Sequence, residues 1–255
     1  SASSKDGPVT GLRVHELAES VRACVTAPMP ALSPVLDATV ERLWQGACAR
    51  MARGNAGRLF NGQVFSADQI GPRVITGHLT EFRRVVAQFE QPALFAELGL
   101  RPLAVCGVLC CADGVVVGRR HVDAIYQAGL WQMPPAGSVD ASAVAADGTV
   151  DLYHQLQLEL QEELGLPPDS VGAPRPLCVA EHADTHVSDL GLLLCTKLQG
   201  RAVLAAHATA GNREYDPLRV VAFADVPRLV AELGDMLVAS APPFLVRAGL
   251  LAGAR

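Results

Sequence analysis

The chain has 255 residues, half of them hydrophobic, and a formal net charge of −5. That composition supports a real core and excludes extended disorder, while the acidic balance argues against a nucleic-acid surface, which needs concentrated Lys and Arg. No apolar run approaches the roughly 18 residues of a bilayer span, so no membrane partner is expected.

In chain order, residues 1–10 are small and polar and are expected to be disordered. Apolar residues from Leu12 to Cys24 recur at helical spacing, and the prolines at 28, 30 and 34 mark a linker after them. Asp37–Ala52 predicts a helix with Val40, Leu43, Trp44 and Met51 on one face. Leu59–Phe65 and Val74–Leu79 predict strands, and Glu81–Leu98 a helix in two pieces broken near Pro92. A boundary is placed near residue 100, which gives an N-terminal α+β extension (1–100) packed on a second domain (101–255). Leu103–Cys111 and Val115–Arg119 read as a hairpin turning at Ala112-Asp113-Gly114, with Asp-Gly supplying a positive φ. Gly129–Pro135 is a short strand, 138–150 a small-residue loop expected to be mobile, and Asp151–Leu164 a helix stopped by Gly165 and Pro167. Leu177–His182, Leu190–Lys197 and Arg219–Phe223 predict strands, and Val226–Leu233 starts a helix. This uneven alternation predicts an α/β protein with a mixed sheet between helices. The seven cysteines form no Cys-x-x-Cys pair and mostly sit in apolar runs. They read as reduced thiols, and with no signal peptide visible a cytoplasmic protein is expected.

The most informative segment is His154–Leu166. On a wheel of about 100° per residue, Tyr153, Leu156, Leu160 and Leu164 share one side, and Glu159, Glu162 and Glu163 cluster beside them. Like charges at i,i+4 cost a helix roughly 0.2–0.5 kcal/mol, and negative charge near its C-terminus is also unfavourable. A divalent cation reverses the sign of both effects, and Mg²⁺ favours a few carboxylate oxygens together with water or phosphate oxygens. An acidic helix alone is more often a solvated face.

The context adds to that reading. Glu159-Leu-Gln-Glu-Glu-Leu-Gly-Leu166 resembles the second half of the Nudix box, and Leu130-Trp-Gln-Met-Pro-Pro-Ala-Gly137 is similar to the strand and turn that open it. Leu158 stands where the family has arginine. Gly137 and Glu159 are 22 positions apart against the family's 15, an insertion of about seven residues. The upstream box glutamate has only Asp140 and Asp151 as candidate counterparts. The N-terminal half resembles the UDP-sugar diphosphatase branch through Trp44, Leu59-Phe60-Asn61, Phe65 and Leu79-Thr80-Glu81-Phe82-Arg83. That branch also has an enlarged box loop and a non-Arg residue before the first Glu.

The resemblance implies a Nudix-type α/β/α sandwich and a Mg²⁺-dependent (or Mn²⁺-dependent) pyrophosphohydrolase. Its substrate would be a nucleoside diphosphate linked to a further group: a UDP-sugar, or equally ADP-ribose or a dinucleoside polyphosphate. Catalytic roles fall on Glu159, Glu162 and Glu163, and metal ligation on the same three with a backbone oxygen of Gly137 or Ala136. Diphosphate contacts are expected from Arg119, Arg120 and Arg83, with Arg84 also a candidate. The general base is one of the box glutamates or Glu181, Asp184, Glu214 or Asp216. Trp131 could stack on a base or belong to the core, and a zinc site at His182 and His186 is not expected without cysteine partners or helical His spacing. The rival from another class is a non-catalytic nucleotide-binding module, which the missing arginine at 158 favours and the intact glutamates oppose.

Overall fold

The computed structural model describes residues 11–53 and 59–253; the expected disorder of 1–10 lies outside the described residues. The elements run β1 (Leu12–Glu16), β2 (Arg22–Val25), α1 (Pro34–Arg53), β3 (Gln63–Ile70), β4 (Val74–Glu81), α2 (Phe82–Glu90), α3 (Phe95–Leu98), β5 (Leu103–Cys110) and β6 (Val115–Arg120). They continue as β7 (Trp131–Gln132), β8 (Ala136–Ser138), β9 (Thr149–Val150), α4 (Leu152–Leu164), β10 (Arg175–His182), β11 (Ser188–Cys195), α5 (Gly200–Ala210), β12 (Tyr215–Val221), α6 (Val226–Leu233) and α7 (Ala241–Arg247).

The larger sheet has the order β1-β10-β11-β5-β6-β12, with β7 on β6 and β8 on β5. Strands β11 and β5 are parallel and the other pairs antiparallel, so the sheet is mixed as expected. Alternation along the strands sends side chains to two faces. On one face Leu103, Val105, Leu109, Leu190, Leu192 and Leu194 meet Leu152, Leu156, Leu160 and Leu164 of α4 and Val203 of α5. On the other, Val108, Val115 and Val117 meet Val226 of α6 and Phe244 and Leu245 of α7. The result is an α/β/α sandwich. A second sheet, β3-β4-β2-β9, packs its α1 and α2 side separately and joins the first core through Ala23, Phe65, Ala67 and Ile75.

Several local expectations change. The segment 12–24 is two strands, not a helix. Leu12 and Val14 also fit a period of two, and their backbone groups are taken by β10 in antiparallel register, so pairing overrides the helical spacing. The β5–β6 turn does not use a positive φ at Gly114. Glycine is needed there for space, because an added Cβ would fall on the Val221 carbonyl oxygen. Asp113 meanwhile accepts from Gly200 N (2.7 Å) and anchors the start of α5. The segment 138–150 is not a bare loop. Val139, Ala143 and Val150 are buried in the main core, and β9 pairs with β2. Its backbone is also tied down where Gly148 O accepts from Val25 N, at 2.8 Å.

Two strand pairings cross the boundary placed near residue 100, since β1 belongs to the larger sheet and β9 to the sheet built from 22–81, and the isolated bridges Val64–Asp140 and Ser66–Pro102 cross it as well. The described cysteines are all free thiols, with Cys195 exposed. No helix among the described residues is long and apolar enough to cross a membrane.

Candidate active site

Helix α4 brings the acidic residues to the sheet. Asp151 caps it by accepting from His154 N (2.9 Å), and Gly165 closes it at φ 65°. The expected acidic patch is split by depth. Gln155, Glu159 and Glu163 form one i, i+4, i+8 row facing inward, whereas Glu162 is exposed.

Glu163 is fully buried. Its Oε2 accepts from Ala136 N at 2.9 Å, and its Oε1 has no hydrogen-bond partner among the described residues. Burial first, and then the charges of Glu214 and Glu159, hold its carboxyl well above the usual range, against the Ala136 hydrogen bond and Arg120. Glu159 lines a cavity of about 280 Å³ together with Ala136, Gly137, Ser138, Arg120 and Glu214. Its Oε1 accepts from Gln155 Nε2 at 2.9 Å. Burial, with Glu214, Glu162 and Asp140 adding and Gln155 opposing, pushes its carboxyl up to about 7. Gly137 is the seat of this carboxylate, since an added Cβ would fall inside it.

The strand period separates the two arginines of β6. Arg120 lines the cavity and pairs with Glu214 at 3.1 Å. Arg119 does not line it, and its Nε donates to Gly129 O at 3.0 Å. Arg83 is held by Glu81 (2.9 Å), Asp37 (2.8 Å) and Glu41 (3.5 Å) and does not line the cavity. Arg84 donates to Glu81 and to Pro30 O.

Among the carboxylates weighed as a base, Glu214 lines the cavity and Glu181 does not. Glu181 is tied to His15 (2.9 Å) and Arg101 (3.1 Å), and burial is outweighed by these hydrogen bonds, so its carboxyl lies below the ordinary value. Trp131 is buried in the core with Arg219 over its ring at 4.8 Å. His186 stacks on Phe95.

Sequence reasoning missed Asp189, Gln155 and Tyr126. The i, i+4, i+8 row was visible in the sequence. Asp189 and Tyr126 carry no local signal, because only folding brings them to the cavity.

The donors of the site are those of a divalent-cation site. The buried, unpartnered Oε1 of Glu163 and the carboxylate of Glu159 are suited to a hard cation, which takes oxygen ligands. Among the described residues no three His, Cys, Asp or Glu side chains close around an ion by themselves. Mg²⁺ needs no such cage, since it keeps several waters and uses one or two carboxylates with substrate phosphates. The residues therefore fit.

No family model matches the chain, and no curated protein matches it. Among solved structures it is similar to a Nudix hydrolase from M. smegmatis, RenU, at 18% identity and a TM-score of 0.40 over 61% of this chain and 91% of that one. It is also similar to an ADP-ribose pyrophosphatase from Streptococcus suis 89-1591 at 16% identity and a TM-score of 0.31, over 50% of this chain and 78% of that one. A C. elegans Ap4A hydrolase matches at 15% identity and a TM-score of 0.33, over 52% of this chain and 91% of that one.

Proposed function

We propose that the protein is a metal-dependent hydrolase that cleaves a diphosphate bond in a nucleoside diphosphate linked to a further group. One observation carries this reading: the Glu159 and Glu163 carboxylates are brought together, Glu163 fully buried with one oxygen unpartnered, beside a cavity that also holds a cation, Arg120. A buried unpaired carboxylate oxygen costs free energy and calls for a partner that the protein does not supply. The Nudix-box resemblance of Glu159–Leu166 supports the same assignment.

Glu159 and Glu163 would hold the cation, with Glu162 on the solvent side and Gly137 giving Glu159 its seat. When bound, such an ion neutralises phosphate charge and favours departure of the leaving phosphate. Arg120 binds the substrate's phosphate oxygens, to which its guanidinium is matched. Glu214, which lines the cavity and pairs with Arg120, would take the proton of the attacking water. The Ala136 N–H fixes the orientation of the Glu163 carboxylate. UDP-hexoses are the finer substrate proposal, from the N-terminal resemblance; ADP-ribose and dinucleoside polyphosphates fit the cavity chemistry as well.

The test is a screen over UDP-glucose, UDP-galactose, ADP-ribose and Ap4A with Mg²⁺ or Mn²⁺, in which added alkaline phosphatase releases phosphate from the phosphomonoester products but not from the intact substrates. Metal-dependent release from one of them is expected, and no release from any would sink the proposal. A second reading, a nucleotide-binding module without catalysis, is favoured by Leu158 and by the exposure of Glu162. Tight nucleotide binding in EDTA with no turnover would select it.

A further inference from the structure

The cavity has a second polar position, remote in sequence from α4. Asp189 of β11 lines it, yet its side chain is only 6% exposed. Its Oδ2 is bonded to His182 Nε2 at 2.8 Å, and His182 is 8% exposed. Burial pulls the His182 imidazole down, and the Asp189 carboxylate more than offsets it. The other oxygen, Oδ1, accepts no N–H or hydroxyl from the described residues. The Cys106 thiol beside it is a weak donor. An ionised carboxylate has room for about four hydrogen bonds, so this one is built with capacity left over.

The surroundings fix its direction. Tyr126 stands edge-on to His182 (6.2 Å) and stacks on Phe89 (5.1 Å). Gln127, next in the chain, is held at φ 52° and donates to the Tyr126 hydroxyl at 3.2 Å. A non-glycine residue in the left-handed region is uncommon and gathers at functional sites. Phe89, Tyr126, Gln127 and Asp189 all line the same cavity as Glu159 and Arg120. Cys106 links the two positions: burial first, and then the charges of Asp189 and Glu163, raise its thiol. An ion pair kept only for stability has little reason to lie on a cavity wall, since buried pairs rarely outperform apolar packing.

We propose that Asp189, oriented by His182, determines specificity by accepting a hydrogen bond from a neutral O–H or N–H on the part of the substrate away from the scissile bond, with Tyr126 and Phe89 as the apolar wall against that part. The inference rests on the hydrolase reading for its substrate, but its subsite is separately testable. Either half of a nucleoside diphosphate-linked compound could supply the donor: a base or ribose on one side, a sugar hydroxyl on the other.

The experiment titrates the full chain calorimetrically with UMP, AMP and glucose 1-phosphate, comparing wild type with Asp189→Asn and Asp189→Ala. KM and kcat are measured on UDP-glucose and ADP-ribose alongside. Loss of a hydrogen bond to a charged acceptor should weaken at least one probe by about tenfold or more in Asp189→Ala. KM should rise with kcat within about threefold, a split that general destabilisation does not produce. The probe that weakens tells which half carries the donor. If Asp189→Ala does not fold, Asp189→Asn, which keeps the shape, carries the test. Unchanged affinity for every probe in a folded variant overturns the proposal, as does a wild type that binds none of the three. If no compound is hydrolysed but Asp189→Ala still weakens UMP or AMP, the hydrolase reading falls and this subsite stands.

Discussion

At the scale of single residues, the site turns on a carboxylate that the fold has buried against its own interest. Glu163 is surrounded by Glu159 and Glu214 and has one unpartnered oxygen. Glu163→Gln removes an acid whose ionisation the fold opposes by burial and by neighbouring carboxylates, so the metal-free variant should melt at the same temperature as wild type or slightly higher, and it should lose turnover by orders of magnitude. Near wild-type turnover in both Glu163→Gln and Glu159→Gln would leave α4 as a structural helix only. Gly137→Ala probes the same spot from the backbone side. Its Cβ would meet the far end of the Glu159 side chain, which can swing away, so stability should change little while activity falls by about tenfold or more. Scanning calorimetry and steady-state rates on one preparation check both parts. The spacing of Glu159, Glu162 and Glu163 was readable in sequence, but their depths were not. Which of three neighbouring helix positions is buried depends on the sheet it packs against, and here Glu163 turned inward and Glu162 outward.

At the scale of elements, α4 and the strands around it were legible because their patterns are strong: a capped helix with leucines at helical spacing, and apolar runs between turns. The first strand was not. Its short apolar pattern fits both periods, and β10 decides between them. Strand β10 also carries Glu181, which ties β1 to Arg101 through His15. A carboxyl held below its ordinary value contributes stability that is complete above its unfolded pKa, about 4.5, and is lost as pH falls through the lower folded value. Melting temperature should therefore drop more steeply below about pH 4.5 in wild type than in Glu181→Gln. Parallel curves would mean that the network contributes nothing measurable. The segment 138–150 behaves as an element rather than a tether. Amide exchange should show Val139 and Val150 protected alongside β5, and rapid exchange at both would contradict their burial.

At the scale of the whole molecule, the described residues on either side of position 100 share one core. Ala23, Phe65, Ala67 and Ile75 pack with Leu103, Val139 and the α4 leucines, and β1 completes one edge of the larger sheet. A chain of residues 101–255 alone should therefore be insoluble or molten, with an exposed β10 edge and a lost part of the core. Recovery of a cooperative melt from that fragment would establish the C-terminal part as an independent domain. Divalent ions give a further whole-molecule readout. A ligand that binds only the folded state raises its melting temperature, so Mg²⁺ or Mn²⁺ should shift the transition upward. No shift, with full activity in EDTA, would remove the cation from the mechanism.

The sequence by itself determined the class of fold and the acidic helix with its glycine stop. Each is a local or compositional property, written in caps, periodicities and residue counts. The tertiary structure decided which glutamate is buried, that Arg120 and not Arg119 lines the cavity, that Arg83 is occupied by three carboxylates, and that Asp189 lines the same cavity as Glu159. Those outcomes depend on register and on contacts between residues far apart in the chain. A strand that shifts by one residue exchanges its two faces, and no pattern within a single segment fixes which face a distant helix will cover.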